Sequence, residues 1–455
     1  MHMNKLDKNQ NRQLDKNNIQ DIKQKNKQIA VKIQTLNING EGVSFFEGKK
    51  VCVNSALPGE EVLCDVMVEK PTFLGCKLQK ILKSNEHRVT PKCKYSGVCG
   101  GCNFDFANYE DALEIKRQTL QNYFSNIFDG QVEAIKSEKQ FCYRNKISFC
   151  VQNNFMGLKE EKSGNLIEID KCLLADEKIN SVLPNLKEIV KSLNCINLNH
   201  VVVRKISDSL IITFVFNKYI KSKVNILKDL LEKFKSKLKF KIGAYVNINK
   251  INHQILGYEW HHLIGIKYQN VKLFDLNFNI HPYSFLQVND DIRDKLYNFV
   301  LDKIENQIVI EGYSGVGIMS CMLCKKAKQV FSVEINTQSY LDAEEAKAKN
   351  QILNLTNINF SCQDVLPTLV KNYPESVFLI DPPRSGCDKD TLQSLKQSNI
   401  KKIIYISCNP YTLKQNIVFL KDEYEIESLT MFDMFPNTFH METVAILNRK
   451  NVAKK

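Results

Sequence analysis

The chain has 455 residues and a formal net charge of +13, from 63 Lys and Arg against 50 Asp and Glu. This length predicts about three domains with sizeable cores, and the positive surplus favours a polyanionic partner. No run of about 18 apolar residues occurs, which argues against a membrane-spanning helix. An odd number of cysteines, 15, without a secretory segment, predicts a protein of the reducing cytoplasm.

The N-terminal part divides into a tail and a small β domain. Residues 1–28 are polar with few large apolar side chains, which predicts a disordered tail. Residues 29–84 alternate short strand-like runs with glycine-containing turns, which predicts a small β-barrel. A turn at Lys49-Lys50 and the pair Phe45-Phe46 combine charge with aromatic surface, as single-stranded RNA binding prefers. An ordinary turn and a core phenylalanine pair explain these residues equally well.

A cluster of thiols marks the central region, residues 85–278, which is predicted to be α+β. Cys93, Cys99 and Cys102 lie in one loop, and two glycines before Cys102 let the loop wrap closely around an inorganic group. A fourth thiol would close a site made of cysteines alone, which suits either an iron–sulfur cluster or zinc. The segment 104–128 is predicted to be helical, and we expect it to pack on the C-terminal domain.

Strands and helices alternate in residues 279–455, which predicts a doubly wound α/β sheet. A glycine-rich turn, EGYSGVG at 311–317, follows a short apolar strand, and the next strand ends at Glu334. An acid about 20 residues after such a turn can accept both hydroxyls of a ribose. The final glycine of the dinucleotide fingerprint is missing. With Asp364 after the following strand, S-adenosylmethionine (SAM) is favoured over NAD, and a bare packing turn is the alternative.

Three motifs near the C-terminus carry reactive groups. DPPRSG begins at Asp381, SCNP contains Cys408, and FPNTFHME ends at Glu442. Apolar, β-branched runs bracket each motif and predict strands, so the three groups should meet where ligands bind in open α/β sheets. A thiol and a carboxylate that converge there predict covalent catalysis. The alternatives are that Cys408 is a small core residue and that Arg384 is a surface ion-pair partner.

These motifs, together with the FLQVN box at 285–289, resemble the SAM-dependent RNA uridine-C5 methyltransferases of bacteria over roughly residues 30–449. The resemblance implies that Cys408 is the nucleophile and Glu442 the general base. It implies a SAM and target-base site formed by Gln287, Tyr313, Gly315, Glu334, Asp364 and Asp381. It also implies that Cys172 joins Cys93, Cys99 and Cys102 as the fourth ligand of a [4Fe–4S] cluster.

The chemistry explains why that family needs a thiol. Uracil C5 is a poor nucleophile, and addition of a thiolate at C6 makes C5 reactive enough to take a methyl group from a sulfonium. A base must then remove the C5 proton. Since the thiolate attacks, we expect the surroundings of Cys408 to lower its pKa, with Arg384 as the nearest positive neighbour.

The sequence departs from the family pattern at three positions of the glycine turn. Glu311 stands for the usual Asp and Ser314 for the usual Cys, and neither change removes a catalytic group. Ile318 replaces a residue that is usually small or polar, so a polar cofactor contact there is not expected. A second Cys-x-x-Cys, Cys321 to Cys324, lies in an apolar helical stretch, where core packing is expected.

The sequence predicts a cytoplasmic, monomeric α/β protein with three folded parts: an N-terminal β-barrel, a central α+β domain that carries the four cysteines and a C-terminal Rossmann-like SAM-methyltransferase sheet. The resemblance implies that the barrel is of the TRAM, or oligonucleotide-binding, type and that the central domain holds the iron–sulfur cluster. The predicted activity is methylation of uridine C5 in 23S ribosomal RNA, because the transfer-RNA branch of the family typically lacks both the barrel and the cysteine cluster. The alternatives are a transfer-RNA uridine-C5 methyltransferase, a base N-methyltransferase and a non-catalytic RNA-binding iron–sulfur protein.

Overall fold

The computed structural model describes residues 27–161, 163–251 and 254–450, so the predicted tail falls almost entirely outside the described residues. The described chain forms two compact units. One comprises residues 27–35 and 41–85, and the other comprises 36–40 and 86–450. Every described helix is too short or too polar to cross a bilayer.

The first unit is a six-stranded sheet with the order β1-β5-β6-β4-β3-β2, consistent with the predicted barrel-like domain. Alternating residues of β5 point into an apolar core that includes Val51, Val53 and Val62. The strands are β1 (Gln28–Lys32), β2 (Thr35–Leu36), β3 (Gly42–Phe46), β4 (Lys49–Val53), β5 (Glu61–Lys70) and β6 (Phe73–Lys83).

The predicted turn at Lys49-Lys50 is wrong by two residues. Glu47 and Gly48 form the turn with φ values of 49° and 76°, because a tight hairpin needs left-handed residues, which glycine adopts without a steric penalty. The two lysines begin β4 instead. Phe45 is 58% exposed, so the two phenylalanines are not a core pair.

The central region contains a seven-stranded sheet with the order β10-β9-β8-β11-β12-β13-β14 and a hairpin, β15-β16. Helix α2 begins where the Asp176 side chain accepts the Lys178 N–H and ends at Asn194, which is left-handed. The elements are α1 (Tyr109–Phe124), β7 (Glu133–Ile135), β8 (Lys146–Gln152), β9 (Phe155–Lys159), β10 (Leu166–Ile167), α2 (Glu177–Leu193), β11 (Leu198–Ile206), β12 (Ser209–Phe216), α3 (Lys221–Lys235), β13 (Lys241–Ile248), β14 (Glu259–Gly265), β15 (Gln269–Leu273) and β16 (Leu276–Ile280).

The C-terminal region is the predicted doubly wound sheet, with the order β19-β18-β17-β20-β21-β23-β22-β7. Strands β17 to β21 are parallel, whereas β23 runs antiparallel to both of its neighbours. The elements are α4 (Asp290–Leu301), β17 (Ile308–Gly312), α5 (Ile318–Leu323), β18 (Gln329–Val333), α6 (Thr337–Lys349), β19 (Leu355–Ile358), α7 (Cys362–Asn372), β20 (Val377–Ile380), α8 (Lys389–Gln397), β21 (Lys402–Ser407), α9 (Pro410–Leu420), β22 (Tyr424–Phe432) and β23 (Glu442–Arg449).

The central region contributes directly to this C-terminal sheet. Strand β7 pairs in parallel with β22, which extends the sheet by one strand. Helix α1, within the segment 104–128, contacts the chain that follows β22, since Lys116 Nζ lies 2.6 Å from Asp433 Oδ1. The central and C-terminal regions therefore share one compact unit.

Candidate active site

A cavity of about 550 Å³ lies at the carboxyl ends of the parallel strands. Its lining includes seven of the residues implicated by the sequence: Gln287, Tyr313, Gly315, Glu334, Asp381, Cys408 and Glu442. Because β23 is antiparallel to β21, its first residue lies at the same edge as the last residues of β21; Ser407 pairs with Thr443. This topology places the thiol and the carboxyl group, which are distant in sequence, side by side.

The glycine turn shapes one wall of the cavity. Gly315 and Gly317 have φ values of 57° and 75°, in the region that favours glycine. A Cβ atom on Gly317 would lie 2.8 Å from Cβ of Ala343, so close packing of α6 on the turn also requires glycine. The Gly315 N–H donates to Glu334 Oε2 at 2.9 Å. This bond fixes the Glu334 carboxylate at the end of β18.

The three residues that depart from the family pattern, Ile318, Glu311 and Ser314, all pack or hydrogen-bond within the protein. Ile318 is buried and lines the cavity, where it supplies apolar surface. Glu311 is buried and accepts the Ser320 hydroxyl at 2.5 Å, and burial raises the pKa of Glu311 to about 8. The Ser314 hydroxyl lies 3.3 Å from the Ser332 hydroxyl oxygen.

Asp364 differs from the other residues implicated in SAM binding, because it lies outside the lining of this cavity. Its carboxylate accepts the hydroxyl of Ser361, and its own N–H donates to Ser361 Oγ, so the pair caps the start of α7. Tyr313 does line the cavity, and its hydroxyl donates to Asp388 Oδ2 at 2.7 Å. The roles of both residues toward SAM stay predictions.

Cys408 lies in a loop that is fixed at both ends. Asn409 begins α9, since its side chain accepts the Tyr411 N–H at 3.1 Å, and proline follows at the first helical position. The Asn409 side chain also donates to the carbonyl of Arg384 at 3.0 Å, which ties the SCNP loop to the DPPRSG loop. The Arg384 side chain lies near the thiol and favours its ionised form.

The electrostatic surroundings of the thiol differ from the expectation. Burial and the nearby carboxyl group of Glu442 raise the pKa of Cys408 to about 11, although Arg384 acts in the opposite direction. The predicted lowering of the thiol pKa is therefore wrong for the protein without ligands, because withdrawal from water outweighs one positive neighbour. At neutral pH Cys408 is therefore protonated in the protein without ligands.

Glu442 is a buried acid without a full set of hydrogen bonds. Burial, with the charge of Asp381, raises the pKa of Glu442 well above its usual range, and burial raises the pKa of Asp381 to about 7. Among the described residues, Glu442 Oε2 has no hydrogen-bond partner. A buried acceptor left unpaired costs about 1–3 kcal/mol. Such an atom is available to a substrate.

Residues that sequence reasoning did not identify hold the loop before Glu442. The Lys116 ammonium donates to Asp433 Oδ1 at 2.6 Å, to the Phe435 carbonyl at 3.5 Å and to the His440 carbonyl at 3.3 Å. Lys116 is 2% exposed. A lysine between apolar positions of an amphipathic helix, four residues after Ala112 and four before Leu120, is the signal in the sequence that indicates a buried cation.

A smaller cavity of about 220 Å³ shares Cys408 and Arg384 with the larger one. Its other lining residues are Ile38, Asn39, Asn409, Pro410, Phe439, His440 and Met441. Cys408 therefore lines two cavities, and a group in either one can approach its sulfur.

The four cysteines implicated as cluster ligands line one cavity of about 630 Å³. They are Cys93, Cys99, Cys102 and Cys172. Within the described part of the chain, no three of their sulfur atoms lie within 4.8 Å of one another. Zn–S bonds of about 2.3 Å place tetrahedral sulfurs roughly 3.8 Å apart. The four thiols are thus more widely spaced than the ligands of one bound zinc ion.

The second Cys-x-x-Cys is structural, as expected. Cys321 is buried on α5 within the apolar core of the C-terminal sheet. Cys324 lies at the end of the same helix, and its thiol donates to the Asn354 carbonyl at 3.6 Å. Neither thiol lines the cavities described above.

Comparison with known proteins gives consistent matches. The model of the tRNA (uracil-5-)-methyltransferase family matches residues 108–450. An uncharacterized RNA methyltransferase from Staphylococcus epidermidis (strain ATCC 35984) is 31% identical over 451 residues, covering 94% of this chain and 98% of the relative. One from Staphylococcus aureus (strain N315) is 31% identical over 437 residues, covering 90% and 96%.

A solved structure shares the fold along most of the chain. It is the Pyrococcus abyssi tRNA (uracil-54, C5)-methyltransferase in complex with S-adenosyl-L-homocysteine, with a TM-score of 0.74 and 25% identity. The match covers 92% of this chain and 100% of that one. The fold predicted from the sequence is confirmed, and so is the predicted family. The chain belongs to the tRNA (uracil-5-)-methyltransferase family of SAM-dependent RNA methyltransferases that act at uridine C5.

Proposed function

We propose that this enzyme transfers a methyl group from SAM to C5 of a uridine in 23S ribosomal RNA through a covalent bond between Cys408 and uracil C6. The observation that carries the proposal is the position of Cys408. Its thiol lines both the larger and the smaller cavity, and the carboxyl group of Glu442, whose Oε2 has no partner among the residues that the structure describes, also lines the larger cavity. A nucleophile and a base so placed match the two groups that this chemistry needs.

The larger cavity fits SAM by its volume and lining. Its wall combines apolar side chains such as Ile318 and Met319 with the carboxylate of Glu334, which is held at the end of β18 where ribose hydroxyls bind in such sheets. When bound, SAM supplies an electrophilic methyl group and one positive charge, which favours the deprotonated forms of neighbouring acids. The raised pKa values of Cys408 and Glu442 in the free protein are consistent with a site built for a cation.

The target base then enters the smaller cavity, after the uridine has left its stack at a cost of a few kcal/mol. Cys408 loses its proton to solvent and its sulfur adds to C6, so C5 becomes nucleophilic and takes the methyl group, with S-adenosylhomocysteine as the leaving group. Glu442 then removes the C5 proton, the C5–C6 double bond forms again, and the C6–sulfur bond breaks to release the Cys408 thiolate. A carboxylate whose pKa is raised accepts a proton more readily, which suits Glu442 for this step.

We also propose that the four cysteines hold a [4Fe–4S] cluster, in line with their common cavity and wide spacing. Protein purified without oxygen should be brown and contain about four irons per chain. Changing any one of Cys93, Cys99, Cys102 and Cys172 to serine should remove most of the iron, whereas Cys150→Ser, a half-buried thiol outside that cavity, should not. Stoichiometric zinc without iron in such a preparation would refute the cluster.

We favour ribosomal over transfer RNA because the chain has folded parts in addition to the catalytic sheet. The N-terminal sheet and the central domain give the enzyme contacts with a longer folded RNA, which proteins read by shape and unstacked bases. The Pyrococcus enzyme weakens this argument. Its match covers 92% of this chain, so it must include part of residues 1–85, and yet the substrate of that enzyme is transfer RNA. Transfer RNA is therefore the second candidate substrate.

A direct comparison decides between the two. We expect unmodified 23S fragments to be methylated at least tenfold faster than unmodified transfer RNA at equal concentration and near-physiological salt. The double variant Phe45→Ser/Lys50→Ser, which removes exposed side chains from the N-terminal sheet, should weaken RNA binding and leave SAM affinity unchanged. Leu353→Ser, also at an exposed apolar side chain, is the control. Faster methylation of transfer RNA would overturn the substrate assignment.

A further inference from the structure

The loop that carries the last clustered cysteine is joined directly to the loop that leads into Glu442. Asn103 follows Cys102, and its side-chain oxygen accepts the Phe439 N–H at 2.9 Å. The next residue, Phe104, donates its N–H to the Asn437 carbonyl at 3.1 Å. Two hydrogen bonds therefore connect residues that are more than 300 positions apart in sequence.

Aromatic packing reinforces the connection. The Phe104 ring lies 4.9 Å from the Phe439 ring in an edge-to-face arrangement, and both residues are buried. On another side of Phe439 lies Gly40, where a Cβ atom would be 2.4 Å from Cγ of Phe439. Phe439 thus packs against both Phe104 and Gly40, and we expect a displacement of Phe104 to shift Phe439, which lies three residues before Glu442.

Several contacts hold this loop, residues 433–441, including hydrogen bonds from Tyr143 to the Pro436 carbonyl and from the Asn437 side chain to the Gln140 carbonyl. Two of the other anchors differ in what they depend on. Lys116 binds Asp433 and the His440 carbonyl from helix α1. This helix is stabilised by its own backbone hydrogen bonds, so we expect its position not to depend on the thiols. Asn103 and Phe104 hold it from an irregular segment that follows the cysteine-rich turn. Because this segment begins directly after Cys102, we expect its position to respond to a group bound by the thiols.

We propose that Asn103 and Phe104 couple the metal centre at the four cysteines to the position of Glu442, so that loss of the centre slows proton removal and product release while SAM binding is kept. This inference rests on the proposed cluster. Asn103 is a positioning residue, since it touches neither cavity that meets Cys408. The proposed coupling gives the four cysteines a role in the reaction itself, in addition to stabilising the central region.

The first test compares Asn103→Ala with Asn103→Asp in anaerobically purified full-length protein. Asn103 is exposed, so both variants should fold. Asn103→Ala should keep its iron and its SAM affinity within twofold. Amide hydrogen exchange at 435–442 should accelerate several-fold, which is about the effect of losing one hydrogen bond. The enzyme–RNA adduct that carries labelled methyl should also accumulate. Asn103→Asp retains an oxygen acceptor and should restore both measurements.

The second test removes the iron from the wild-type protein by oxidation and chelation. Exchange at 435–442 should accelerate as in Asn103→Ala, with SAM affinity retained. Unchanged exchange there after iron removal would overturn the coupling, and so would anaerobic protein with no metal at the four cysteines. Neither result touches methyl transfer by Cys408. Conversely, if the protein methylates no RNA, the exchange comparison still decides the coupling.

Discussion

Replacing Cys408 by alanine should abolish methylation and leave SAM affinity within a few-fold of the wild type. The thiol acts on uracil, and nothing else at that position can form the C6 bond. The loss should exceed a hundredfold, since a covalent route is removed rather than weakened. The control is Cys324→Ala, a partly buried thiol at the end of α5 that lines neither reaction cavity. Activity above a hundredth of the wild type would exclude Cys408 as the nucleophile.

The same thiol should be trapped by RNA containing 5-fluorouridine. Fluorine at C5 cannot leave as a proton, so the adduct stops after methyl transfer and survives denaturation. The adduct should form faster as pH rises from 7 to 9, because the thiolate attacks and the pKa of Cys408 in the free protein is raised to about 11. A rate that does not change over this range would show that substrate binding itself sets the ionisation of the thiol.

Replacing Glu442 by glutamine should permit attack and methyl transfer but stall release. The amide keeps the shape of the side chain and cannot take the C5 proton, so the ring stays bonded to sulfur. The variant should accumulate a denaturation-resistant enzyme–RNA species that carries labelled methyl, and its turnover should fall at least a hundredfold. Glu427→Gln, which changes a carboxyl group on the neighbouring strand β22, should behave as the wild type. Normal turnover of Glu442→Gln would assign the base to another group, with Asp381 the nearest candidate.

Much of the catalytic sheet could be predicted because its signals are local. Apolar, β-branched runs locate the strands closely: the strand predicted to end at Glu334 is β18 (Gln329–Val333), and the run before DPPRSG is β20 (Val377–Ile380). The glycine turn and the three motifs follow strands, so their convergence at one edge follows from the topology of a parallel sheet. Glu334, Asp381, Cys408 and Glu442 follow from this reasoning, whereas Gln287 and the role of Tyr313 came only from the family resemblance.

What could not be predicted depends on contacts between distant segments. The addition of β7 to the far edge of the sheet leaves no pattern in the sequence around residue 133, because pairing partners are chosen by tertiary position. The helical position of Lys116 indicates a buried cation, but nothing in the sequence identifies Asp433, more than 300 residues away, as its partner. The raised pKa of Cys408 follows from burial and from a carboxyl group 34 positions away, whereas sequence proximity pointed only to Arg384.

Residues 36–40 have a consequence for how this protein can be divided. They interrupt the N-terminal sheet and belong to the catalytic unit, where Ile38 and Asn39 line the cavity at Cys408. A gene fragment that begins after residue 85 therefore lacks part of the wall around the reactive sulfur. The N-terminal sheet cannot be deleted, or exchanged with that of a relative, as an independent cassette. A chimaeric protein must therefore keep residues 36–40 from the same parent as the catalytic unit. Recombination near residue 85 would replace Ile38 and Asn39 and so change the wall of the cavity at Cys408.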